Sequence, residues 1–239
     1  MNATPTPAHE TTDPHCIADD DAARLLEGAP WRRLVVLGDS IAEGRLVGPC
    51  PGYRTRSWPD RLAAALQTAQ PKSAYLNLGR RDLVAAEIRS QQLGKALAFR
   101  PDLAAVVAGG NDMLRRSFDP DATEAELSRI IGPLRDAGAD VITLGLYDVS
   151  QSPLVPEQHR AGLRQRLRQL SERTRALALR HGAIHVDLTN HPAGSDRGIY
   201  NADGRHANAR GQAIAAAAVL RRLAEHLNAA RAAGLRTRR

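Results

Sequence analysis

The sequence is poor in aromatic residues, at 3%, and nearly free of lysine and cysteine. Cys16 and Cys50 cannot build a disulfide framework or a tetrahedral thiolate zinc site. A single bridge is the most they allow, and Cys16 falls in a segment that reads as unstructured. No stretch approaches the 18 consecutive apolar residues that mark a spanning helix. The first thirty residues have neither a basic start nor an apolar run, so they do not read as a secretory signal. A cytoplasmic protein without a membrane span is expected.

The chain has 239 residues, of which 43% are hydrophobic and 25% charged, which describes a globular protein and argues against wholesale disorder. That length suits one α/β domain with a sizeable core. The formal net charge is +7, unevenly spread. Residues 1–30 carry Glu10, Asp13, Asp19, Asp20, Asp21 and Glu27 against Arg24 alone, so the remainder is strongly basic. Apart from Lys72 and Lys95 the basic residues are arginines, and alanine is abundant, the style of a GC-rich coding sequence. No nucleic-acid reading motif accompanies the charge, and no nucleic-acid partner is expected. The oligomeric state is not legible.

Residues 1–21 are polar and lack apolar periodicity, and the whole of 1–30 reads as a disordered acidic leader. Short β-branched or apolar runs follow at Arg33–Gly38, Ala74–Leu78, Leu103–Ala108, Asp140–Leu146 and Ala183–Leu188, each the signature of a buried strand. Between and after them, helical spacing occurs over Trp58–Gln67, Asp82–Phe99, Thr123–Ala137, Glu157–Arg180 and Asn208–Leu227. Strand and helix alternate throughout, which predicts a parallel sheet with right-handed crossovers in a three-layer α/β/α sandwich. The domain spans 31–229, and 230–239 reads as a basic, flexible tail. Ligands of such sheets bind beyond the carboxyl ends of the strands.

Three of those ends carry chemistry. After the first strand comes Gly38-Asp39-Ser40, where a serine at a strand-to-helix turn can offer a nucleophilic hydroxyl or merely cap the helix. After the second and third come Asn77-Leu78-Gly79-Arg80 and Gly109-Gly110-Asn111-Asp112. A glycine N–H, an asparagine amide and the serine N–H can together stabilise an oxyanion; each taken alone reads as well as a turn residue. Near the end stands Asp203-Gly204-Arg205-His206, whose spacing lets the carboxylate fold back on the imidazole, or else supplies a cap and a surface histidine. His181, His185 and His191 lack ligand spacing, and no metal is expected.

Taken in order, these blocks resemble the SGNH/GDSL hydrolase superfamily over most of residues 33–227, in the style of its small actinobacterial members. The resemblance implies a flavodoxin-like fold with a five-stranded parallel sheet. It implies Ser40 as nucleophile, His206 as general base and Asp203 as its partner. Ser40, Gly79 and Asn111 would be the oxyanion donors, and no cofactor is required. Ala42 stands where a small hydroxyl residue is common, and Arg80 where a small residue often follows the glycine.

The implied reaction is hydrolysis of a carboxylic ester through an acyl-serine. An acyltransferase using the same intermediate and a non-catalytic binding protein of this fold are the alternatives. Substrate contacts are expected from Asp39, Arg54, Trp58, Arg80, Met113, Arg115, Tyr147 and Tyr200 in the loops beside the blocks. Apolar stretches around the site are short, which favours a small or polar ester such as an acylated metabolite or sugar. The loop arginines can recognise an anionic group or stand solvated.

Overall fold

A computed structural model describes residues 9–45, 47–152 and 154–236. Helix α1 (Asp19–Leu25) precedes strand β1 (Arg33–Gly38), which runs directly into the short helix α2 (Ser40–Glu43). Helix α3 (Trp58–Ala69) leads to β2 (Ala74–Asn77). The segment expected as one helix over 82–99 is α4 (Ala85–Ile88), a π turn (Arg89–Leu93) and α5 (Gly94–Ala98) in succession. Then follow β3 (Leu103–Val107), α6 (Gly110–Leu114), α7 (Pro120–Asp136), β4 (Asp140–Gly145), α8 (Glu157–Arg180), β5 (Ile184–Asp187) and α9 (Ala209–Arg236).

The helix starts follow from side-chain chemistry. Asp119 accepts from the N–H groups of Asp121 and Ala122 at 2.9 and 3.0 Å, with Pro120 in the first turn of α7. Ser57 does the same for α3, where Pro59 occupies an early position that needs no N–H donor.

The sheet is five-stranded and parallel throughout, in the order β2-β1-β3-β4-β5. Alternation along β1 sends Leu34 and Val36 to one face and Val35 and Leu37 to the other. The first face is covered by α1, α3 and α9; the second by α4, α7 and α8. Both faces are buried, which is why the strands read as unbroken apolar runs. Because the chain leaves β1 for one edge and returns at β3 toward the other, the crevice opens between the ends of β1 and β3.

Two expectations about the ends need correction. Residues 9–30 are docked, not disordered: Leu26 and Trp31 are fully enclosed in the core, and Glu10, Asp13 and Cys16 are buried beside it. Acidic side chains do not prevent docking when guanidinium groups receive them, and here Arg61 and Arg54 hold Glu10 while Arg210 holds Asp13. Burial pushes the Cys16 thiol up to about 12. At the other end, α9 continues as helix through Arg236, since its alanine-rich sequence carries no breaker that outweighs propensity. Residues 1–8 and 237–239 lie outside the described residues. Among the described residues no helix is long and apolar enough to cross a membrane.

Candidate active site

Gly38 makes the turn from β1 into α2 possible. Its φ is +150°, and a Cβ there would stand 2.1 Å from the carbonyl oxygen of Val107. Gln92 fixes it from the second face of the sheet, its amide donating to Gly38 O at 2.9 Å and accepting from Gly38 N–H at 2.8 Å. Gln92 is buried and belongs to the π turn, an irregularity common at functional sites. A helical pattern in the sequence gives no sign of that extra residue in the turn.

Asp39 caps α2, accepting from Ile41 N–H at 3.0 Å. Ser40 is the first residue of α2, so its N–H has no intrahelical acceptor and belongs to the positive end of the turn. Its Oγ lies 2.9 Å from His206 Nε2, and His206 Nδ1 lies 2.6 Å from Asp203 Oδ2. The other Asp203 oxygen accepts the N–H groups of Arg205 and His206 at 2.9 and 3.0 Å, which pins the carboxylate to its own loop. Asn208 closes that loop, donating to Gly198 O and Tyr200 O at 2.9 and 3.1 Å and accepting from the first N–H groups of α9.

Burial raises each of these carboxyls, and their hydrogen bonds decide the net direction. It pushes Asp39 up to about 6, against the pull of Ile41 N–H and the nearby His206. It also raises Asp112, whose carboxylate accepts from Ala85 N–H at 3.0 Å. Asp203 is desolvated as well, but its bonds to the backbone and ring of His206 outweigh burial and hold it below the usual carboxylate range. The imidazole partner is therefore an ionised acceptor, which requires the Nδ1 hydrogen and leaves Nε2 free to receive a proton.

Asn111 stands in α6, beyond β3, and lines the same cavity as Ser40 and His206. One hydrogen of its Nδ2 is given to Leu83 O at 3.0 Å, leaving the second for a ligand. Gly79 behaves differently. It does not line the cavity, and its N–H donates to Asn77 Oδ1 at 2.8 Å. It is a glycine because α2 passes so close that a Cβ would stand 2.3 Å from Glu43 N. The assignment of Gly79 as an oxyanion donor is corrected on that ground: the donor is already spent.

The cavity has a volume of about 370 Å³ and is lined by Ser40, Asp203 and His206 together with apolar side chains. Of the loop candidates, Asp39, Trp58, Met113 and Tyr147 line it, and so do Arg81, Asp82 and Arg205, which the sequence did not single out. Leu144, Leu146, Val149, Leu163 and Leu167 form an apolar wall. Trp58 is held there by its indole N–H on Ile41 O at 2.9 Å. The remaining loop candidates are elsewhere. Arg54 is engaged by Glu10 and Asp19. Tyr200 is buried, with its hydroxyl on Gly194 O at 2.6 Å. Arg80 and Arg115 border a shallower recess that also includes Arg81, Asp82, Glu43 and Glu87.

Comparison with known proteins follows the same lines. An arylesterase of Vibrio mimicus is 30% identical over 120 residues, covering 47% of this chain and 53% of its own length. The chain thus spans about half the length of that curated relative. Among solved structures, an α/β hydrolase from the metagenome of Lake Arreo, Spain, superposes with a TM-score of 0.65 at 20% identity, covering 82% of this chain and 95% of its own. An acetylxylan esterase from Geobacillus stearothermophilus gives 0.65 at 18% identity, with 82% and 94% covered. At such identities the likeness is one of fold. Residues 36–214 match the GDSL-like lipase/acylhydrolase family, and the chain belongs to that family.

Proposed function

We propose that the protein hydrolyses carboxylic esters through an acyl-serine on Ser40. The observation that carries this reading is the continuous relay from Ser40 Oγ through His206 to Asp203, at 2.9 and 2.6 Å. As Ser40 Oγ attacks the ester carbonyl, His206 Nε2 takes its proton, and the ionised Asp203 stabilises the imidazolium. The tetrahedral oxyanion is met by Ser40 N–H and the free hydrogen of Asn111 Nδ2. Collapse expels the alcohol with the proton from His206. Water, deprotonated by the same imidazole, then releases the acid and restores Ser40. Membership of the GDSL-like family and the likeness to the arylesterase support the reaction class.

The cavity also bears on the substrate. The expectation of a small or polar ester came from short apolar runs, but side chains from β4, α8 and the segment between them converge in space. The apolar walls beside Ser40 give an acyl chain longer than acetyl somewhere to lie. We therefore read the acyl portion as a medium-length hydrocarbon, desolvated against those walls. Acid-quenched mass spectrometry of the enzyme mixed with a nitrophenyl octanoate tests the reaction. An octanoyl mass on the peptide carrying Ser40 is the expected outcome; turnover with the acyl group on no residue, or on another one, would remove the proposal.

A further inference from the structure

The cavity that holds Ser40 is apolar toward one edge of the sheet and meets an arginine-lined recess toward the other. The strand order β2-β1-β3-β4-β5 sets the two apart. Leu144 and Leu146, at the end of β4, and Leu163 and Leu167 of α8 wall the cavity on the β4 side of the crevice. Arg80 and Arg81 follow β2, on the opposite side, and Arg45 follows α2. Arg81 and Asp82 border both spaces, so the recess adjoins the cavity. Arg115, after α6, belongs to the recess, and Arg205, next to His206 in the chain, lines the cavity itself.

The charges of the recess do not cancel. Its four arginines, Arg45, Arg80, Arg81 and Arg115, meet three carboxylates, Glu43, Asp82 and Glu87. Glu87 is committed to its own helix start, accepting from Val84 N–H at 3.0 Å. Glu43 stands 3.8 Å from Arg45 Nε and 3.6 Å from Arg81 Nε, too far for a hydrogen bond, and its Oε2 is buried without a hydrogen-bond partner. It can orient both guanidinium groups without occupying their donors. The side chains of Arg115 and Arg205 hydrogen-bond to no carboxylate among the described residues. Arg54, Arg61 and Arg210, by contrast, each donate directly to one.

A guanidinium offers paired N–H donors that match the oxygens of an anion. Several of them with unoccupied donors around one recess suit a dianion better than a single carboxylate. A phosphate monoester carries about two negative charges at pH 7 and presents three acceptor oxygens.

We propose that Arg80, Arg81 and Arg115, with Arg205 at the cavity, bind a phosphate carried on the alcohol portion of the ester. The substrate class is then an amphiphile, its acyl chain against the leucine wall and its phosphate among the arginines. This names the substrate of the ester-hydrolase reading of Ser40 and rests on it. The bond that breaks joins the acyl carbon to the alcohol oxygen, so the alcohol leaves with its phosphate attached and takes its proton from His206.

Two esters with the same reacting bond test the proposal on the full-length protein: the mono-octanoyl ester of propanediol, and that ester phosphorylated on its second hydroxyl. The phosphorylated ester should have a kcat/KM at least about tenfold higher, and the advantage should shrink as salt is added. Arg115→Gln and Arg205→Gln should each lower the advantage by about threefold or more, chiefly through the KM of the phosphorylated ester, and together should abolish it. Arg168→Gln removes the same charge from the exposed side of α8 and should leave the advantage in place. Equal kcat/KM for the two esters in the wild type overturns the proposal while leaving Ser40 as nucleophile. So does an advantage that Arg168→Gln erodes as much as Arg115→Gln and Arg205→Gln do. An equal gain from octanoyl lactate, whose alcohol portion bears a carboxylate, overturns the assignment of phosphate. No octanoyl mass on Ser40 with any of these esters removes the ester reading and this proposal with it.

Discussion

Arg210 Nε donates to Asp13 Oδ2 at 2.8 Å, joining residues 197 positions apart and tying the docked N-terminal segment to the first turn of α9. The same guanidinium engages Asp196 in the loop before His206. Beside it, Glu10 receives Arg61 at 2.6 Å and Arg54 at 2.8 Å. The acidic segment is therefore strapped to the loop that carries Arg54 and to helices α3 and α9.

Its contribution to stability should depend on pH in a defined direction. Glu10 is desolvated, but Arg61 and Arg54 outweigh that and lower its carboxyl to about 2, from 4.5. The folded state holds this proton less tightly than the unfolded state, so the stabilisation is full above pH 4.5 and is lost as pH falls toward 2. Glu10→Gln should cost on the order of 1–3 kcal/mol at pH 7 in urea unfolding, with the difference from wild type shrinking between pH 4.5 and 2. A pH-independent difference would contradict the ion-pair account.

Asp39 should behave in the opposite sense. Its carboxyl is raised to about 6 from 3.8, chiefly by burial. The folded state binds the proton more tightly, so stability is greatest below pH 3.8 and declines as pH rises through 6. Asp39→Asn, which keeps an acceptor for Ile41 N–H, should remove that decline. It should gain on the order of 2 kcal/mol relative to wild type between pH 4 and 8, measured as the change in unfolding free energy. Parallel pH profiles of the two proteins would show that the buried carboxyl is not the cause.

Asn111→Ala removes an amide whose second hydrogen is free for the oxyanion. Turnover on a nitrophenyl ester should fall on the order of 100–1,000-fold, with KM changed much less. A loss confined to KM would place Asn111 in substrate binding instead.

Leu163→Phe narrows the cavity at its apolar wall from α8. Hydrolysis of octanoate esters should drop by about tenfold or more, while acetate is affected by less than about threefold. Equal losses across the series would mean that the acyl chain lies elsewhere.

The strands were legible because a parallel sheet buried on both faces imposes short apolar runs, and β1 and α8 have the bounds that their sequence indicates. The cluster of Ser40, His206 and Asp203 was legible because these residues follow strands or precede a helix in a fixed order. What escaped depended on partners distant in sequence or on backbone shape. Glu10 and Asp13 look like disordered acids until Arg61 and Arg210 are seen beside them. Gly79 was chosen by residue type, whereas the cavity is lined by Asp82, whose left-handed φ no composition reveals. The apolar cavity is assembled from several elements and has no counterpart in any single run.

Turnover of nitrophenyl octanoate by wild type and Ser40→Ala tests whether Ser40 is the nucleophile of an ester hydrolase. Hydrolysis by the wild type is expected, with a fall of at least about 10,000-fold in kcat for the variant, whose fold is verified by circular dichroism. Hydrolysis by Ser40→Ala at a rate near that of wild type would contradict that role.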